Sequence, residues 1–219
     1  MPVRGRVVLK GIRFAAGVAS DPSGVVTLWK AATGGKVVGC LPATPVPELP
    51  HAAGLLPIAL EFPEDLSLLS GQIDAWLLGP DPAPFPVPPG EIPRFAFPRT
   101  APGSVEEALD RVEGLAEWVG AVSGSPASEG ALWKSIRAHA TLRSLLDALD
   151  ERIAHEDALL TPGERRDIAR AGIFLPPEAH SRLLSSILGV DHELAAPSPE
   201  EEKGDPLILL AKRLRGISG

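Results

Sequence analysis

Fifteen of the 24 prolines in this 219-residue chain fall between Pro42 and Pro102. Proline fixes φ, lacks a backbone N–H and biases its predecessor away from helix, so a stretch this rich in it favours extended chain, turns and sheet edges. Immediately afterwards, Pro102-Gly103-Ser104-Val105-Glu106-Glu107 has the form of a helix start, with Ser104 and Glu107 at the S-x-x-E capping-box spacing. The chain therefore breaks near residue 100 into a strand-like half and a helical half, the order of a segregated α+β protein.

The first 41 residues read as a β-meander. Val3, Val7 and Leu9 alternate with Arg4, Arg6 and Lys10, and Ile12, Phe14, Ala16 and Val18 continue the period of two towards the turn-like Asp21-Pro22-Ser23-Gly24. Val25 to Ala31 returns as a second arm, Thr33-Gly34-Gly35 makes a turn, and Lys36 to Leu41 is the next strand. Pro42, Pro45, Pro47 and Pro50 read as a stiff connector. Further strands are expected over Leu55 to Phe62, Gln72 to Leu78 and Glu91 to Phe97, with Pro57 and Pro93 placing two of them at sheet edges, and Pro80 to Pro89 reads as polyproline II. This pattern predicts an all-β domain over residues 1–101, a sandwich or partly open barrel.

In the second half, Val105, Leu109, Val112, Leu115, Ala116 and Val119 follow helical spacing and leave Glu106, Asp110, Glu113 and Glu117 on the opposite side. Ser125-Pro126 opens a longer helical stretch to about Ala158. Thr161-Pro162-Gly163-Glu164 is a second capping box whose short helix Gly172 is expected to close, and Pro176-Pro177 starts a helix ending near Gly189. These elements make a helical domain over residues 102–189. Residues 190–204 form an acidic linker, after which Asp205-Pro206 caps a tethered terminal helix, Leu207 to Arg215, in the last segment, 190–219.

Chemistry is sparse. The net charge is −7, and it arises entirely beyond residue 103, where 13 basic side chains face 20 acidic ones. That balance disfavours nucleic acid as a partner, and Arg182 is the sole basic residue of Pro177 to Leu188, a poor recognition helix. No apolar run approaches the roughly 20 residues that span a bilayer, and the N-terminus lacks a signal-peptide core, so the expected location is cytoplasmic, without membrane insertion. Arg outnumbers Lys 15 to 6, a bias of high-GC, bacterial coding. Cys40 is alone and reads as a core side chain. No two of the five histidines stand at i, i+4, so no metal site is expected; Gly34-Gly35-Lys36 lacks the rest of a phosphate loop, and no cofactor motif is present.

Three features could carry interaction. They are the basic stripe Arg4, Arg6 and Lys10, reinforced by Arg13; Phe85 within the Pro-rich arm; and the terminal helix with Leu207, Leu210, Leu214 and Arg213. The function expected from them is a non-enzymatic assembly or adaptor subunit of a multiprotein complex, contacting other protein subunits or copies of itself. An enzyme, for example a hydrolase using Asp74, His51 or His139, is the alternative, and a nucleic-acid-binding regulator the second.

Overall fold

The computed structural model describes residues 5–41, 46–60, 63–79, 91–98, 101–155, 160–190 and 205–217. Two compact units form, each from separate stretches of chain: Met1–Val26 with Arg137–Ala196, and Thr27–Ile136 with Pro197–Gly219.

The first unit holds α1 (Arg6–Ser20) against α7 (Pro162–Phe174) and α8 (Pro177–Leu188). This corrects the expected meander: residues 6–20 and 22–33 are helical, in α1 and α2 (Pro22–Thr33). In α1 the buried residues are Gly11, Ile12, Ala15 and Val18, spaced i, i+1, i+4 and i+7 as one helical face requires. The β-branched residues that mimic a strand are overruled by this packing, since β propensity is mostly a statement about context. A Cβ on Gly11 would sit 2.7 Å from Ser186 Oγ and 3.0 Å from Ile187 Cγ1, so glycine lets α1 and α8 approach closely. Asp21-Pro22-Ser23-Gly24 is a helix cap instead of a hairpin turn: Gly24 N–H donates to Asp21 Oδ1 at 2.8 Å, and Pro22 opens α2.

The second unit is built on one parallel sheet of order β2-β1-β3-β4, from β1 (Val37–Leu41), β2 (Leu56–Ala59), β3 (Ala75–Leu78) and β4 (Arg94–Ala96). The strands fall where the sequence placed them, and Pro57 does lie in an edge strand. Neither a sandwich nor a barrel is formed, however, because parallel pairing needs a crossover between strands. Helices α3 (Glu48–Ala52) and α4 (Pro63–Leu69) lie in those crossovers. The expected connector thus becomes a helix carrying Pro50 in its first turn, where a missing N–H costs nothing. Val37–Leu41 is buried at every position, as a strand covered on both faces must be.

One sheet face, with Val38, Cys40, Ala75 and Leu77, packs with Val112, Leu115, Val119 and Val122 of α5 (Val105–Ser123), Leu132 and Ile136 of α6 (Glu129–Ala154), and Ile208, Leu210 and Ala211 of α9 (Pro206–Ile217). Cys40 is buried there, as expected.

The helix caps follow the sequence closely. Ser104 Oγ accepts from Glu107 N–H at 3.1 Å, but the Glu107 carboxylate accepts from Gly103 N–H at 2.7 Å instead of from Ser104, and also takes Arg111. The Gly103 bond first, and Arg111 second, hold the Glu107 carboxyl below its usual range. Thr161 and Glu164 make the full reciprocal box at 2.7 and 3.2 Å. Gly172 does not close α7: it lies inside that helix, which runs on to Phe174. Ser104→Ala is expected to cost about 1 kcal/mol and Leu115→Ala about 2–5 kcal/mol in urea titrations; equal small losses would mean that the α5 stripe faces no core.

Candidate functional site

Asp74, His51 and His139 are held in structural contacts or lie apart. Asp74 Oδ2 accepts from Lys30 Nζ at 2.8 Å and from Val37 N–H at 2.7 Å, which fastens α2 to the start of the sheet. His51 Nδ1 lies 2.8 Å from Ser135 Oγ, and that hydroxyl donates to the Glu48 carbonyl at 2.8 Å. With the serine proton so used, Nδ1 carries the hydrogen of the His–Ser contact, the reverse of what an activated nucleophile requires. Ser135 is moreover fully buried. The trio ties α3 to α6. His139, also buried, belongs to the other unit. Among the described residues no group of His, Cys, Asp and Glu is arranged to hold a metal ion.

Two surfaces remain. The first is the outer face of α1. Val7 and Phe14 are 63% and 53% exposed although both are large and apolar. They stand seven residues apart, two helical turns, and so share a side of the helix. Beside them run Arg6, Lys10 and Arg13, all exposed, at i, i+4 and i+7. None of these three pairs with another described residue, and α1 contains no acid at all. The basic stripe read as strand is therefore a helical row flanked by apolar anchors.

The second is a concavity of about 250 Å³ formed by α3, α5, the turn before α6, and α9. Its floor is Leu49, Ala116, Leu210 and Leu214, with Pro126 and Ala127 at one side. Its rim carries Glu113, Glu117 and Arg213. Arg213 pairs with Glu113, whereas Glu117 pairs with no other described residue. Along α5 the row Glu106, Asp110, Glu113 and Glu117 faces outward, as its spacing implied.

Of the residues singled out in the sequence, Leu210, Arg213 and Leu214 are brought together at this concavity, and Arg6 and Lys10 lie on the α1 face. Leu207 is half-buried against the core of the second unit. Arg4 and Phe85 lie outside the described residues. Val7, Phe14, Leu49, Ala116 and Glu117 were missed; a helical wheel drawn through residues 6–20 would have grouped Val7 with Phe14. No helix of the described residues is long and apolar enough to cross a membrane. The chain matches no family model and no curated protein.

Proposed function

We propose that this chain is a non-enzymatic docking subunit that binds an acidic protein surface through the outer face of α1. The observation that carries the reading is the exposure of Val7 and Phe14 beside a row of three cations that no other described residue pairs with. Burying each apolar side chain is worth about 1.5–3 kcal/mol, so a free surface that keeps two in water gains from a partner that covers them. A lipid surface is a poorer match, because the larger apolar side of α1 is already spent inside its own unit and the chain carries a net charge of −7. Release of the terminal helix to insert into a partner is not part of the reading, since Ile208, Leu210 and Ala211 are buried in the chain's own core.

Affinity purification of the intact chain, with and without Phe14→Asp, tests it. Phe14→Asp is expected to lose the co-purifying protein at unchanged circular dichroism and thermal midpoint, and raised salt is expected to weaken recovery from the wild type. Recovery of the same partner by both proteins would overturn the reading. A second reading rests on the strand order, which reverses between β1 and β3, the point at which parallel α/β sheets take ligands. A small molecule retained by the intact chain in native mass spectrometry would favour that reading.

A further inference from the structure

The α1 face and the α5–α9 concavity are complementary to each other. In chain order the basic row is Arg6, Lys10 and Arg13, at steps of four and three; the acidic row of α5 is Glu106, Asp110 and Glu113, at the same steps, with Glu117 beyond. Two helices laid parallel therefore set Arg6 opposite Glu106, Lys10 opposite Asp110 and Arg13 opposite Glu113, the last of which is already held by Arg213 of its own chain, so that the first two pairs carry the register. The apolar residues choose between parallel and antiparallel. At about 100° per residue, Val7 and Phe14 lie roughly 80–100° to one side of the basic row and Ala116 roughly 80° to the other side of the acidic row. Facing helices that run parallel bring such opposite sides together, as positions g and e do in a parallel coiled coil, whereas antiparallel helices bring like sides together.

In the parallel register Phe14 stands level with the stretch of α5 between Glu113 and Ala116, two residues that line the concavity. The concavity, at about 250 Å³, exceeds the roughly 150 Å³ in which an engineered apolar cavity accepts benzene, and its floor is apolar. Glu117 at the rim, which pairs with no other described residue, adds the sign of charge that a cationic helix prefers.

Resting on the docking role of α1 proposed above, the geometry points to a second copy of this chain as the partner: the outer face of α1 of one copy lies parallel to α5 of the other, with Phe14 in the concavity between α5 and α9. The two surfaces differ, so the contact is heterologous unless two copies exchange it reciprocally.

Sedimentation velocity of the intact chain decides. At low salt the mass is expected to rise with concentration across the micromolar range and to fall back to that of the monomer as salt is raised. Phe14→Asp is expected to be monomeric. Arg6→Glu with Lys10→Glu, and separately Glu106→Lys with Asp110→Lys, should each weaken association at least about tenfold, while an equimolar mixture of the two variants associates again, and so does a chain carrying all four changes. Circular dichroism shows that each variant is folded. Wild-type association unmoved by these variants, or variants that stay apart when mixed, would overturn the parallel α1–α5 contact. A wild type that is monomeric throughout would overturn the second-copy inference by itself; the purification with Phe14→Asp then decides separately whether α1 docks anything.

Discussion

Lowering the pH from about 6.5 to about 4 is expected to remove roughly 3 kcal/mol of folding stability through His180 alone. His180 is buried on α8, its Nε2 has no hydrogen-bond partner among the described residues, and burial pushes its pKa from 6.5 down to about 4. Above pH 6.5 the ring is neutral folded or unfolded, and stability is at its full value. Between 6.5 and 4 the unfolded chain takes up a proton that the folded one refuses, at about 1.4 kcal/mol per pH unit, so stability falls with pH; below 4 both forms are protonated and the loss levels off. Other side chains titrate in the same window, so urea titrations of wild type and His180→Leu should be compared from pH 7.5 to pH 4. The wild type should lose roughly 3 kcal/mol more than the variant over that range. Parallel curves would show that the ring is reached by water or paired when folded.

The second large effect is expected at Gly172. A Cβ there would lie 2.1 Å from His180 Cε1 and 2.5 Å from Nδ1, and the ring is 4% exposed, with no open side into which to turn. Gly172→Ala should therefore cost about 1–3 kcal/mol or more, the price of overpacking. In a His180→Ala background the same change should cost nothing and should even stabilise by up to about 1 kcal/mol, because alanine is the better helix former. This reversal of sign separates a steric cause from any defect of α7 itself. Additive effects in the double-mutant cycle would refute the contact.

The same glycine shows what the sequence could and could not convey. Gly172 near the end of a helical pattern has the look of a terminator; its purpose lies on α8, several residues further on, and no local rule reports it. Local signals with short range were legible: Thr161 with Glu164, Ser104 with Glu107, Pro177 at the first position of α8, and Gly189, whose φ of +67° ends it. The strands were legible too, but not their direction. Val37-Val38-Gly39-Cys40-Leu41 is a continuous apolar run without alternation, the mark of a strand buried on both faces, and it argued for parallel pairing from the start. Residues 6–20 satisfy periods of two and of 3.6 alike, so that only α7 and α8, placed against them by the fold, decide in favour of helix. The candidate site was legible as a set of charges. Arg6 and Lys10 were read as neighbours on one face of a strand and share a face of a helix instead, and Glu106 to Glu117 stood apart from the apolar stripe of α5 by spacing alone, but the concavity needs α9 laid on α5, a contact between residues about 100 positions apart.

The discontinuity of the first unit bears on how the molecule is made. α1 is the first described helix to leave the ribosome, and α7 and α8, which cover Ile12, Ala15 and Val18, follow after more than a hundred residues. At about 5–20 residues per second the delay is on the order of 10–30 s. Throughout it the nascent helix offers an uncovered apolar stripe with a cationic back, a natural hold for a chaperone, and a message cut short before α7 leaves a product that cannot bury its own beginning.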